Sequence, residues 1–149
     1  MHELERSAIG IARENGQDWV DDVHLLLALL KQRTASARAL SQCGLTESHI
    51  RQEYRTLLHD FIRTAPGDLL TPRLNRTIGR AEGLAAARRS KRPRAADYLA
   101  AIVLEPGGIV SAIFASRPGV EACLRSALAA MGVVLPAPPR SVKHRERGD

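Results

Sequence analysis

The chain has 149 residues and only 3% aromatic residues, which suits one domain with an aliphatic core. Its formal net charge of +6 favours acidic partners, such as nucleic acid, anionic membrane surfaces or acidic peptides. No apolar run approaches the roughly 18–20 residues of a membrane span, and the charged start lacks a signal-peptide core. These features predict a soluble cytoplasmic protein without a membrane partner.

The first half of the chain predicts four helices arranged around one buried helix. Asp21 and Asp22 offer an N-cap oxygen and negative charge at the start of an apolar run over residues 23–30. The run is too continuous for one apolar stripe, so most faces of its helix should be covered, with Trp19 pinned against the core. Apolar periodicity and glycine stops predict the neighbouring helices. The four predicted helices cover residues 3–15, 22–32, 34–43 and 47–62.

The second half repeats this arrangement after a Pro-Gly-Asp break at 66–68. Thr71 followed by Pro72 is a strong helix start, because threonine caps well and proline suits the first helical position. A basic connection at 88–94 then leads into a second buried helix. The four predicted helices here cover residues 72–89, 95–104, 109–115 and 118–131, and no run reads as a convincing strand.

The predicted fold class is therefore all-α, with eight helices forming two four-helix repeats related by a pseudo-two-fold axis. One domain should cover residues 1–135, with the first repeat at about 1–65 and the second at about 70–132. The polar, basic tail at 136–149 is predicted to be disordered.

The sequence offers little catalytic chemistry. His24 lies inside an apolar helix without a nucleophile or acid at suitable spacing, which favours a structural hydrogen bond to the backbone. Cys43 and Cys123 lie on apolar helix faces without a Cys-x-x-Cys spacing, which favours buried, reduced thiols. The histidines and cysteines show no zinc spacing, so neither metal nor cofactor is predicted and the protein is expected not to be an enzyme.

The layout resembles the double Clp amino-terminal repeat, the domain that precedes the ATPase rings of ClpA- and ClpC-type unfoldases. The first repeat carries the family-like runs Ala-Arg-Glu at 12–14 and His-Leu-Leu-Leu-Ala-Leu at 24–29, followed by Gly44 and Leu45. The second repeat matches more distantly, at a Thr-Pro-Arg start over 71–73 and at the apolar run 99–104. The resemblance extends over about residues 4–132 and implies a bacterial protein of the Clp system.

Two departures from the family pattern limit what the resemblance implies. ClpC-type domains hold the guanidinium of phosphoarginine with a Glu in each repeat, and the matching positions here are Val23 and Ala96. Phosphoarginine binding is therefore expected to be weak or absent. The chain also carries no Gly-x-x-x-x-Gly-Lys-Ser/Thr phosphate loop, so a stand-alone repeat domain without an ATPase motor is expected.

Two functions stay open at this point. The first is a non-enzymatic interaction module of the Clp protease system that binds substrate polypeptides, adaptors or small ligands. The alternative is a basic nucleic-acid-associated protein that reuses the fold and grips phosphates with segment 88–94 and the tail. The first predicts a ligand with an apolar body and an acidic feature near the pseudo-two-fold axis, unless this surface is only a repeat junction. The predicted partner-binding residues are Trp19, Val23, Arg92 and Ala96.

Overall fold

The computed structural model describes residues 2–57, 70–133 and 135–136. Within these ranges the chain is all-helical, with one isolated β-bridge between Val20 and Leu70 and no strand. The all-α prediction with eight helices is confirmed. The helices are α1 (Glu3–Glu14), α2 (Asp22–Leu30), α3 (Ala35–Gln42), α4 (Glu47–Leu57), α5 (Pro72–Ala87), α6 (Ala95–Leu104), α7 (Gly108–Ala115) and α8 (Val120–Ala130).

The core is built around α2 and α6, which contact each other at the centre of the molecule. Every residue of α2 except Leu30 is buried, and α6 is buried from Ala96 to Val103. Their apolar runs therefore pack on most faces, as their composition predicts. α1 lies along α2, and α5 lies along α6 in the same way.

The contacts between repeats are reciprocal, which is what a pseudo-two-fold axis requires. α4 of the first repeat contacts α7 of the second, and α8 of the second repeat contacts α3 of the first. Likewise, α2 contacts α7 while α6 contacts α3. The two repeats therefore share one continuous core of aliphatic side chains.

Most predicted helix boundaries fall within two residues of those observed. The start of α8 lies two residues later than predicted, because Gly119 takes a left-handed conformation with φ of 89° and the helix begins at Val120 rather than at Pro118. The predicted extension of α4 to residue 62, the break at 66–68 and residues 137–149 of the predicted tail lie outside the described residues.

Buried polar groups join the start of α2 to the start of α5. The Thr71 hydroxyl donates to Asp21 Oδ1 at 2.5 Å, and the Thr77 hydroxyl donates to Asp22 Oδ2 at 3.0 Å. The Thr71 N–H also donates to the Val20 carbonyl at 2.9 Å. These bonds span the repeat interface, so the two aspartates that begin α2 also fix the position of the second repeat.

Burial and, after it, the neighbouring Asp21 carboxylate raise the pKa of Asp22 to about 8, against the opposing hydrogen bond from Thr77. The native carboxyl is therefore neutral at pH 7, while the unfolded chain ionises from about pH 4. The folded state holds this proton more tightly than the unfolded chain does. The contribution of Asp22 to the free energy of unfolding is therefore complete below about pH 4 and is lost as pH rises towards 8.

Asp22→Asn should remove most of this pH dependence, because the amide is neutral at every pH. We expect the variant to match the wild type near pH 4 and to exceed its free energy of unfolding by on the order of 2 kcal/mol at pH 8. Urea titrations at the two pH values measure the difference. Asp18→Asn, at an exposed acid in the preceding connection, is the control. An unchanged slope with pH in Asp22→Asn would contradict the assignment.

The prediction of reduced thiols is wrong, because Cys43 and Cys123 form a disulfide. Their Cα atoms lie 5.8 Å apart, inside the range that a disulfide needs. Cys43 follows α3, and Cys123 lies in α8, whose contact with α3 joins the two repeats. A sequence separation of 80 residues gave no local signal for this pairing, which arises from the way the repeats dock.

Candidate functional site

A surface pocket of about 640 Å³ lies where the first turn of α1 meets the second repeat. One wall is the start of α1, and the opposite wall comes from α5, the turn before α6 and α6 itself. Residues of both repeats therefore form it. The lining residues are His2, Glu3, Glu5, Arg6, Glu82, Lys91, Arg92, Pro93 and Tyr98.

The floor of the pocket joins the repeats through Tyr98. This side chain is almost fully buried, and its hydroxyl donates to Glu5 Oε2 at 2.7 Å. Burial and the hydrogen bond to the Glu5 carboxylate raise the pKa of Tyr98, so the phenol stays protonated as the donor. The His2 ring packs edge-on against the Tyr98 ring at 5.0 Å while its Nδ1 accepts the Leu4 N–H at the start of α1. These contacts hold the first turn of α1 against α6.

The basic wall of the pocket is held in place by Asp97. Its Oδ2 accepts the Arg94 N–H at 2.7 Å, which caps α6, and also pairs with the Arg88 guanidinium at 2.5 Å. The Ser90 hydroxyl donates to the Arg92 carbonyl at 2.9 Å within the same turn. A buried carboxylate therefore fixes both ends of segment 88–94, so Lys91 and Arg92 protrude from an ordered turn.

The pocket presents unpaired charges of both signs. Lys91 and Arg92 are exposed and form no ion pair with the other residues in the described parts of the chain. Glu3 and Glu82 are likewise exposed and unpaired there. Glu3 lies on the α1 wall, and Glu82 lies on the wall that carries Lys91 and Arg92, so charges of both signs face one bound molecule. This arrangement suits a ligand that carries groups of both charges.

Of the four residues predicted to bind a partner, only Arg92 presents its side chain to solvent. Trp19 and Val23 are 4% and 0% exposed, and Ala96 is 7% exposed. Val23 and Ala96 occupy the same position, one residue into α2 and α6, and both pack into the shared core. The four residues do not form one surface in this conformation, and their role in binding a partner stays a prediction.

His24 has a structural role, as its isolation in the sequence predicts. Its Nδ1 accepts the Asp21 N–H at 3.0 Å, and its Nε2 lies 2.8 Å from Gln17 Oε1, so the ring carries its proton on Nε2. Desolvation lowers the pKa of His24 to about 4 against the backbone hydrogen bond to Asp21, which keeps it neutral. The rings of Trp19 and Tyr54 pack edge-on against it.

Sequence reasoning missed most of the pocket. Of its lining residues, only Arg92 was predicted. The others meet through contacts between the two repeats, such as the one between His2 and Tyr98. The one usable signal was the pseudo-two-fold relation, which places the start of α1 beside the start of α6 as it places the start of α5 beside that of α2.

The described residues hold no cluster of three or more His, Cys, Asp or Glu side chains that could bind a metal ion. In the same ranges no single helix is long and apolar enough to span a bilayer, and α6 and α7 meet that test only as a pair bent by 81°.

The fold defines an all-α domain of two docked four-helix repeats with a pocket at their junction. The family model of the Clp repeat (R) N-terminal domain matches residues 2–117. The chain therefore belongs to the Clp repeat N-terminal domain family, as its sequence motifs suggested.

The structural comparison supports the fold. One solved chain, from preliminary structural investigations of a malarial protein secretion system, aligns with a TM-score of 0.62 and 16% sequence identity. The alignment covers 86% of this chain and 88% of that chain. No curated protein sequence matches this chain. The family consists of non-catalytic domains that bind substrates and adaptors in Clp machinery, so the general function is that of a Clp-system interaction module.

Proposed function

We propose that this domain binds unfolded polypeptide segments in the pocket between α1, α5 and α6, without catalysing a reaction. Lys91 and Arg92 would receive an acidic side chain of the segment. Glu3 and Glu82 would receive a basic side chain or backbone N–H groups. The observation that carries the proposal is the set of exposed, unpaired charges of both signs around one pocket of about 640 Å³.

Two features support a role in binding rather than turnover. His24, the one buried histidine in the described ranges, forms hydrogen bonds with Asp21 and Gln17, so neither ring nitrogen is free to act as a general base. The pocket contains no nucleophile paired with a base within its lining residues. An adaptor or decoy that presents or withholds polypeptides for a Clp unfoldase would use such a domain, and either role needs only the pocket.

Phosphoarginine is not part of the proposed ligand class. Val23 and Ala96 stand where a guanidinium-binding Glu is expected, and both are buried aliphatic residues.

The cytoplasmic location expected from the sequence stays a prediction. The Cys43–Cys123 disulfide favours a compartment that is not strongly reducing.

Reversing the charge of the basic wall should weaken polypeptide binding. Charge-assisted contacts contribute about 1.5–3 kcal/mol each, so we expect Lys91→Glu with Arg92→Glu to raise the Kd at least about ten-fold. The probe is reduced, carboxymethylated α-lactalbumin, an acidic polypeptide that stays unfolded, and fluorescence anisotropy measures the Kd. Helical circular dichroism should be unchanged, because both side chains are exposed.

The matched control is Arg33→Glu with Arg38→Glu, which removes the same charge from exposed positions at and near α3. This variant should bind within about two-fold of the wild type if the pocket is the site. Equal weakening by both double variants would show that net charge alone attracts the polypeptide, which would overturn the proposal.

The nucleic-acid alternative makes a different prediction with salt. Phosphate contacts release counterions, so affinity for a single-stranded oligonucleotide should fall steeply between about 50 and 200 mM salt. Polypeptide binding through a few pocket contacts should fall much less. An oligonucleotide that binds more tightly than the polypeptide at the higher salt would favour the alternative.

A further inference from the structure

The Cys43–Cys123 disulfide is the one covalent connection between the repeats in the described residues. It ties the C-terminal end of α3 to the middle of α8, and it closes a loop that contains the whole of α4, α5, α6 and α7. None of the pocket's lining residues lies on α3 or α8.

The two sulfur-bearing residues differ in access. Cys123 is exposed, whereas Cys43 is half-buried and packs against the hydrophobic core. Attack on a disulfide needs a thiolate to reach one sulfur in line with the bond, and exposed bridges are the ones that exchange. Solvent access on one side and a packed partner on the other therefore favour attack at Cys123 rather than at Cys43.

A noncovalent contact accompanies the bridge at the same junction. The Arg117 guanidinium, after α7, donates through Nε to His49 Nε2 of α4 at 3.0 Å. Arg117 also lies beside Gly44, the residue that follows Cys43. α3 and α4 therefore meet the second repeat through contacts other than the bridge, so the loss of the bridge need not unfold the chain.

We propose that Cys43–Cys123 is a reversible redox site, a clamp between the repeats that a dithiol reductant opens in the native protein. A reductant thiolate attacks Cys123 Sγ, forms a mixed disulfide and releases Cys43 as a thiolate, which takes a proton from water. The second thiolate of the reductant then attacks the reductant's sulfur in the mixed disulfide. This step releases the Cys123 thiolate, which is protonated in turn. The dithiol loses two electrons and becomes a disulfide, and the cystine gains both.

The disulfide should raise the midpoint of thermal unfolding of the domain. A bridge that closes a long loop restricts the unfolded chain, and typical native disulfides shift the midpoint of thermal unfolding by roughly 5–15 °C in a domain of this size. Reduction of the folded chain should lower Tm by that amount. The far-ultraviolet circular dichroism at 25 °C should not change, since the helices persist without the bridge.

The test uses the full chain, oxidised in a glutathione disulfide buffer and then treated with dithiothreitol without denaturant. Iodoacetamide labelling with mass spectrometry should count no free thiol before treatment and two after it. Tm should fall on reduction and recover when the chain is reoxidised. Cys43→Ser with Cys123→Ser should match the reduced wild type and ignore dithiothreitol.

Three results would overturn the proposal. Two free thiols in the oxidised sample would mean that the bridge does not form. Labelling that appears only in denaturant would mean that the native bridge is beyond the reach of reductants. An unchanged Tm on reduction, or disulfide-linked dimers in place of the internal bridge, would remove its role as a clamp between repeats.

Discussion

Replacing Leu26 with alanine should lower the free energy of unfolding by about 2–5 kcal/mol, one of the two largest effects expected in this chain. Leu26 is 0% exposed in the middle of α2, which contacts both its own repeat and α6 of the other. Truncation leaves a cavity that the surrounding aliphatic side chains fill only in part. Urea unfolding followed by circular dichroism measures the loss.

Leu30→Ala is the matched control, since Leu30 ends the same helix and is only half-buried. Its cost should be less than half that of Leu26→Ala. Similar costs at both positions would contradict the deeper burial of Leu26 at the centre of the two repeats.

His24→Ala should cost about 2–4 kcal/mol at pH 7, from the lost ring volume and from the buried Asp21 N–H left without its acceptor. Gln17 and the ring contacts with Trp19 and Tyr54 lose their partner as well. Chemical denaturation gives the value. His49→Ala, at a histidine on the more accessible α4, should cost no more than about 1 kcal/mol.

The pH dependence separates a buried neutral imidazole from any other role for His24. Its folded pKa of about 4 lies below the usual 6.5, so the unfolded chain takes up the proton first as pH falls. The stabilisation is complete above about pH 6.5 and is lost as pH falls towards 4. Wild type and His24→Ala should therefore converge in stability over that window. A constant difference would contradict the assigned tautomer and burial.

Periodicity and capping residues predicted the fold well because they act locally. Thr71 and Pro72 mark the start of α5, and the apolar runs of α2 and α6 signal burial on most faces. The disulfide was not predictable in this way. Its two cysteines are 80 residues apart, and they meet only because the reciprocal docking of the repeats brings α3 to α8.

The partner-binding residues chosen from the sequence stay a prediction, and their choice assumed that a family position lies at the surface. Val23 and Ala96 match places that bear Glu in the ClpC-type pattern, but an aliphatic side chain there turns into the core and contributes no surface. Arg92 lines the pocket because the basic turn precedes a helix start that Asp97 caps. The facing wall from His2 to Arg6 depends on long-range packing, which no local pattern encodes.

Chemical shift mapping tests polypeptide binding at the pocket most directly. Uniformly ¹⁵N-labelled protein, oxidised at Cys43–Cys123, is titrated with carboxymethylated α-lactalbumin at moderate salt. We expect the largest shifts at amides of the first turn of α1, segment 88–94 and the start of α6, and none of comparable size on α3 or α8. Saturable shifts confined to a surface away from the pocket, or no shifts at millimolar polypeptide, would contradict the proposed function.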